Sequence, residues 1–422
     1  MIKSRGIFAL LSALALVAVA CTSSGSNESN TSPADLGGEV TTSPSPTTAV
    51  TSGTNPQALL AGVADSSELP GDLPAVTGAW GTDWTRTTIP FEELRIGIFA
   101  SDPRDAIAPI DNPQFESVTA GAEWLDGRAP GVFVRYDGGA RFYPLAILTL
   151  HEIVNDQIGD VPIAVTYCPL CNSGVVFDRR IDGTTHRFGV SGLLRKSDLV
   201  MWDDLTNSLW QQITGEGIVG TYAGIRLTIV PASIVSFSEF SETAPEGEVM
   251  SRSTGFNRTY GLNPYEFYSS RGAPFAFFDE EVDDRFPALE RVVGVSSGGV
   301  EKAYPFSVIS GVGVVNDVVA GTDVVVFWGG DTADALDSSL IDASQAVGTA
   351  VAYSPIVDGQ KLTFRQISDS VYEDDQTGSR WTILGVATDG PLAGELLELI
   401  VHRNEFWFAW AAFFPDGEVY GD

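Results

Sequence analysis

Residues 136–178 read YDGGARFYPLAILTLHEIVNDQIGDVPIAVTYCPLCNSGVVFD, and a related stretch, SGGVEKAYPFSVISGVGVVNDVVAGTDVVVFWGGDTADALD, begins at residue 297. Both stretches carry the same short motifs in the same order: Tyr-Pro at residues 143–144 and 304–305, and Val-Asn-Asp at residues 154–156 and 315–317. Self-similarity of this kind indicates that one structural unit occurs twice in the chain.

The correspondence continues beyond these stretches. Residues 203–210, DDLTNSLW, correspond to residues 374–381, DDQTGSRW. We therefore predict two tandem copies of one β-rich domain. The predicted boundaries are a first repeat domain at residues 95–253, a connecting segment at 254–284 and a second repeat domain at 285–422.

Short strands dominate the pattern of each copy. Residues 161–167 form an apolar run bounded by turn residues, which is typical of a buried strand. The Asp-Gly pair at residues 182–183 lies between two β-prone runs and indicates a hairpin. Residues 144–155 have apolar side chains at helical spacing and predict a short helix. The predicted fold class is α+β with mainly antiparallel sheet.

The two copies differ at a pair of cysteines. The chain has 3 cysteines, and Cys168 and Cys171 form a Cys-x-x-Cys motif in the first copy. The second copy has Gly329-Gly330-Asp331-Thr332 at that place, and a glycine near residue 311 where the first copy has His151. Residues that only one copy keeps are not required by the shared fold. We therefore predict that Cys168, Cys171 and His151 are functional.

The run HEIVNDQIGDVPIAVTYCPLCNSGVVFDRR, together with GVSGLLRKSDLVMWD and DAIAPIDNP, resembles an uncharacterised prokaryotic family, domain of unknown function 3179. The resemblance covers most of the chain beyond about residue 95. It implies an exported or anchored protein and supplies no activity. The family pattern falls on residues 151–156, Cys168, Cys171 and residues 197–201.

Two thiolates and an imidazole are a soft ligand set. Cys168, Cys171 and His151 are predicted metal ligands, with the thioether of Met201 as the fourth. Soft ligands favour copper(I), with zinc as the second choice. A structural zinc site would normally have four Cys or His ligands, and this chain offers one Cys pair.

Two other functions stay open at this stage. Cys168 and Cys171 could be the catalytic thiols of a thiol-disulfide redox protein or thiol-dependent enzyme. The residues after Cys171 predict a turn and a strand, unlike the helix that follows a thioredoxin-type motif. The protein could also be a non-catalytic structural or interaction protein. Four nearby acids are candidate general bases or partners of the ligands: Glu152, Asp156, Asp178 and Asp198.

The net charge argues against nucleic-acid binding. The chain has 24 Lys and Arg against 55 Asp and Glu, a formal net charge of -31. Such a surface repels phosphate backbones. The expected partners are a membrane, reached through an N-terminal anchor, and an envelope redox or metal-trafficking protein of unknown identity.

The N-terminus predicts export. Lys3 and Arg5 precede an apolar run that ends in Ala-Val-Ala before Cys21. This pattern resembles a bacterial lipoprotein signal, so residues 1–20 are a predicted signal peptide and Cys21 a predicted lipidation site. Residues 21–60, rich in Ser, Thr and Pro, are a predicted disordered tether. The expected location is extracytoplasmic, anchored by lipid to the bacterial cell membrane.

Overall fold

The computed structural model of the protein describes residues 57–136 and 139–421. The predicted signal peptide, the lipidation site at Cys21 and the tether up to residue 56 lie outside the described residues. No helix among the described residues is long and apolar enough to cross a membrane.

The described residues contain six short α-helices and three 3-10 helices. The α-helices are Leu73–Thr77, Val118–Gly121, Leu145–His151, Phe237–Thr243, Phe306–Ile309 and Trp407–Phe413. The 3-10 helices are Ser66–Glu68, Phe91–Glu93 and Ile341–Ala343. The predicted helix at residues 144–155 is shorter than expected, because Glu152 has a positive φ of 59° and ends it.

Most of the remaining structure is β-sheet. One seven-stranded sheet has the order Leu60–Ala61, Arg86–Thr87, Glu216–Val219, Leu209–Gln211, Asp198–Asp203, Phe188–Arg195 and Leu94–Ile96. A five-stranded sheet has the order Ala232–Ser236, Pro130–Tyr136, Gly139–Pro144, Glu248–Met250 and Phe115–Ser117. Two four-stranded sheets contain Val314–Val319, Thr322–Gly329, Thr349–Ser354 and Glu398–Leu399, and Phe364–Ser368, Val371–Asp374, Arg380–Thr382 and Ala387–Asp389.

An eight-stranded sheet runs through the centre of the fold. Its order is Glu418–Val419, Val300–Pro305, Arg291–Ser297, His402–Phe406, Ser173–Asp178, Val161–Cys168 and Ile153–Ile158, with Ile229–Val230 beside Ser173–Asp178. Two small hairpins complete the strands: Arg180–Ile181 with Thr184–Thr185, and Ile356–Val357 with Gln360–Lys361. Nearly all strand pairs are antiparallel, so the prediction of a β-rich α+β fold with mainly antiparallel sheet is confirmed.

The central sheet joins the two halves of the chain. Asn404 pairs with Gly174, so the strand His402–Phe406 lies directly beside the strand that follows the Cys-x-x-Cys motif. Residues 53–422 accordingly form one compact unit. The largest core contains Val165, Val176 and both motif cysteines from the first half, and Phe406 and Phe408 from the second.

Corresponding residues of the two halves make corresponding hydrogen bonds. The Tyr143 hydroxyl donates to Asp156 at 2.6 Å, and the Tyr304 hydroxyl donates to Asp317 at 2.9 Å. The Asp203 carboxylate accepts bonds from Thr206, Ser208 and Trp210, and that of Asp374 accepts bonds from Thr377, Ser379 and Trp381. Asn155 and Asp156 lie within the strand Ile153–Ile158.

Candidate metal centre

The Cys-x-x-Cys motif forms the turn of a β-hairpin. The strand Val161–Cys168 pairs with Ser173–Asp178, and Cys168 faces Ser173 across the ladder. Residues 169–172 close the turn, with Asn172 in the left-handed region at φ 51°. Asparagine tolerates this conformation better than most residues. The Tyr167 hydroxyl donates to the Asn172 side-chain oxygen at 3.0 Å and holds the turn from within.

The second half of the chain also holds the turn. The Phe406 amide donates to the Cys171 carbonyl oxygen at 2.8 Å. The Tyr268 hydroxyl donates to the Leu170 carbonyl oxygen at 2.7 Å. The motif is therefore fixed by residues more than ninety positions away as well as by its own hairpin.

A second hairpin brings a carboxylate to the sulfurs. Arg195 pairs with Asp198, and the turn between them consists of Lys196 and Ser197, both with positive φ. The ligand-type atoms of Cys168, Cys171 and Asp198 all lie within 4.8 Å of one another, and all three residues are buried. These three residues could hold a metal ion through two sulfurs and one oxygen.

One of the two oxygens of the Asp198 carboxylate, Oδ2, accepts hydrogen bonds. Its Oδ2 accepts a bond from Gln211 Nε2 at 2.6 Å and from the Ile213 amide at 3.0 Å. Its Oδ1 is buried and has no hydrogen-bond partner among the residues the structure describes. A buried carboxylate oxygen without a partner carries a large desolvation cost, which a bound cation would offset.

Burial favours the protonated forms of the two thiols and of the Asp198 carboxyl. It raises the pKa of both thiols, and the neighbouring Cys168 raises the pKa of Cys171 further. Burial also raises the pKa of Asp198 to about 6, against the opposing effects of the bonds from Gln211 and Ile213 and of the two nearby thiols. The structure has both cysteines as free thiols. A cation would reverse these shifts, because thiolates and carboxylates are the ligand forms.

Two further buried carboxyls flank the site. Burial, with the nearby Asp198 charge, raises the pKa of Glu152 to about 8. Burial raises the pKa of Glu405 to about 8 as well, although Arg403 opposes the rise. The Glu405 carboxylate accepts a bond from Arg403 at 3.1 Å, and its other oxygen has no partner in the described chain. Negative charge on Glu152 raises the pKa of Cys168, and negative charge on Glu405 raises that of Cys171.

The model of a family described as "Protein of unknown function (DUF3179)" matches residues 104–417. The chain belongs to this family. No curated protein and no solved structure matches the chain. The description of the DUF3179 family names no activity, so the geometry of the site is the basis for a functional proposal.

The structure does not bring His151 to the sulfurs. His151 ends the helix Leu145–His151, and its Nδ1 bonds the Ala108 carbonyl oxygen at 2.6 Å. Its Nε2 lies 2.9 Å from the Tyr260 hydroxyl. Because a carbonyl oxygen can only accept, Nδ1 carries the proton and Nε2 accepts from Tyr260. Both nitrogens are occupied, and Asp198 stands where we had predicted the imidazole.

Met201 shares the largest core with both cysteines, so its thioether stays a predicted ligand. It lies on the strand Asp198–Asp203, three residues beyond Asp198, and successive side chains of a strand alternate between faces. Leu199 and Met201 belong to the largest core, whereas Val200 belongs to a separate core. By this alternation Asp198 and Met201 lie on opposite faces of the strand, and Met201 is on the face of the core that contains both cysteines.

Two of the other candidate acids, Asp156 and Asp178, have structural partners. Asp156 accepts bonds from Tyr143 and Arg141, and Asp178 pairs with Arg180. Asp203 forms a second cluster of potential ligands with His186 and Asp204. The bonds of Asp203 to Thr206, Ser208 and Trp210 recur at Asp374, where no histidine is present, so we interpret them as structural.

The sequence contained one signal for Asp198. Asp198 lies in the Ser-Asp-Leu-Val-Met stretch at residues 197–201, and this stretch is part of the DUF3179 pattern. We had named Asp198 among four acids without a preference. This stretch holds both Asp198 and Met201, and the structure groups the Asp198 carboxylate with the two sulfurs.

Proposed function

We propose that the protein binds one thiophilic metal ion through Cys168, Cys171 and Asp198. The observation that carries the proposal is the convergence of two free thiols and a half-satisfied carboxylate within 4.8 Å in a buried place. Without a cation, the chain buries groups whose charged forms are strongly disfavoured. Three protein ligands leave a fourth position, as zinc sites with bound water do.

Zinc fits this ligand set better than copper(I). The sequence suggested copper(I), because His151 and Met201 are soft ligands. The proposed set of Cys168, Cys171 and Asp198 includes a carboxylate, which is a hard ligand that zinc accepts and copper(I) avoids. Copper(I) held by the two thiolates alone is the competing assignment.

Metal analysis of chelator-free protein, purified without a nickel affinity step, tests the proposal. We expect one zinc per chain, and we expect the Asp198→Asn variant to lose most of it. Asn207→Asp is a suitable charge-changing control, because Asn207 lies in a separate turn where it bonds Arg104. Copper(I) binding that survives Asp198→Asn would favour the two-thiolate assignment, and parent protein without any metal would refute the proposal.

Thiol-disulfide exchange is the second candidate function. Exchange requires a thiolate that a partner sulfur can reach. Cys171 is fully buried and Cys168 is 2% exposed, and burial raises the pKa of both. The motif also lies in a β-hairpin, without the helix N-terminus that lowers thiol pKa values in thioredoxin-type sites. A structural or interaction role is the third candidate, and it would be favoured if neither metal nor reversible oxidation were found.

We also propose that the protein is a lipoprotein of the cell envelope, where it would meet a metal-trafficking or redox partner. The support is the charged start, apolar run and Ala-Val-Ala-Cys at the N-terminus. We expect residues 1–20 to be absent from the mature protein and Cys21 to carry acyl chains, which provide the membrane affinity. Mass spectrometry of the N-terminal peptide checks this, and an unmodified Cys21 thiol would indicate a secreted form.

We further propose that the two halves are copies of one domain, and that the second copy has a structural role at the first copy's site. The recurring hydrogen bonds of the Tyr-Pro, Asn-Asp and Asp-Trp motifs support this. The strands ending at Cys168 and Gly329 also correspond. The connections after them differ, because the return strand begins at Ser173 in one half and at Thr349 in the other.

A further inference from the structure

A long irregular segment separates the two halves of the chain. Between the strands Glu248–Met250 and Arg291–Ser297 the structure, which describes every residue of this interval, contains neither helix nor strand. Irregular connections of this length within a compact unit are uncommon and usually have a function. We call residues 254–284 the strap.

The strap contacts each element that builds the metal centre. Its Tyr260 donates to His151, at the end of the helix that precedes Glu152. Its Tyr268 donates to Leu170, inside the Cys-x-x-Cys turn. Its Glu280 pairs with Lys196 at 3.3 Å, two residues before Asp198.

The strap also closes over the site with aromatic rings. Tyr268 stacks on Phe275 and packs edge-on against Phe406, whose amide holds Cys171. Phe278 packs against Phe408 in the helix Trp407–Phe413. Tyr265 is half-buried and packs on the core that contains both cysteines. Neither sulfur is reachable from solvent while these contacts persist.

We propose that the strap is a lid over the metal centre, and that a cation enters and leaves only when it opens. This inference rests on the proposed function. It assigns His151 a role as a positioning residue: with Nδ1 fixed on Ala108, its Nε2 holds the Tyr260 hydroxyl and so anchors one end of the strap. Lys196 anchors the other end through Glu280, and Tyr268 anchors the middle.

Thiol labelling of metal-free protein tests the lid independently of any metal. The full chain is treated with a chelator and then with iodoacetamide, and modification of the peptide containing Cys168 and Cys171 is followed by mass spectrometry. We expect the Tyr260→Phe/Tyr268→Phe variant to be labelled about tenfold faster than wild type, because it lacks two hydrogen bonds that hold the strap closed. His151→Phe should act in the same direction.

Tyr304→Phe is the matched control, because it also removes one hydroxyl bond, to Asp317 in the second half. It reports on general destabilisation, and its labelling rate should equal that of wild type. Equal rates in wild type and the strap variants would overturn the lid, and so would equal acceleration by the control.

Zinc release adds the second arm of the test. In zinc-loaded protein, extraction by a colorimetric chelator should accelerate in the strap variants by a similar factor, with the zinc content at saturation unchanged. Faster labelling in protein that binds no zinc would support the lid and refute the metal site. Zinc binding with unchanged labelling and release would support the site and refute the lid.

Discussion

Removal of the bound cation is expected to lower the melting temperature of the wild-type protein by several degrees, and to leave that of the Cys168→Ser/Cys171→Ser variant unchanged. A ligand that binds only the folded state stabilises it by about 4 kcal/mol when its free concentration is about 1,000 times Kd. One kcal/mol shifts the melting temperature of a domain of roughly 150–250 residues by about 2–4 °C. Differential scanning calorimetry with and without chelator measures the shift.

Met201→Leu is the control for this experiment. The exchange conserves volume in the core and should cost less than about 1.5 kcal/mol. It should retain the full response to chelator, because Cys168, Cys171 and Asp198 are the proposed ligands and the thioether is not among them. A response lost in Met201→Leu would restore the thioether as a ligand. A response kept by the double serine variant would place the cation elsewhere.

Local patterns in the sequence predicted strands, but they did not predict which strands pair with each other. The apolar run predicted as a strand at residues 161–167 is the strand Val161–Cys168 in the structure. An apolar run bounded by turn residues is a local signal. The pairing of Asn404 with Gly174 has no local signal, since the pleat of a strand does not encode its neighbour. Whether residues 95–253 and 285–422 fold as separate domains stays a prediction, but their strands share one sheet.

The absence of local signals for long-range contacts also explains which residues of the site the sequence could predict. The Cys-x-x-Cys pair could be identified because two residues of spacing place two sulfurs together on any scaffold. His151 was expected to turn back toward the sulfurs, but Glu152 adopts a positive φ, and the imidazole instead meets Tyr260 from the strap. Contacts between residues so far apart in sequence depend on the whole fold. Asp198 reaches the sulfurs only because two separate hairpins converge.

The metal-free protein is expected to lose stability as pH rises from about 4.5 to about 8. Burial raises the pKa of Glu152 and of Glu405 to about 8, from an ordinary value of 4.5. Between these values the folded state binds more protons than the unfolded chain. Each group therefore contributes stability below pH 4.5 and loses up to about 1.4 kcal/mol per pH unit above it. Urea denaturation at several pH values, with chelator present, measures the slope.

Glu152→Gln separates this effect from other titrations. Glutamine has the shape of the protonated side chain, and the Glu152 carboxyl makes no hydrogen bond or ion pair within the described residues. The variant should therefore match wild type near pH 4.5 and exceed its stability at pH 8. Glu92→Gln, at an exposed position, controls for the loss of one negative charge. Stability that increases from pH 5 to pH 8 in metal-free wild type would contradict the buried-carboxyl account. Zinc should flatten the slope, because a cation beside Asp198 lowers the cost of the neighbouring negative charges.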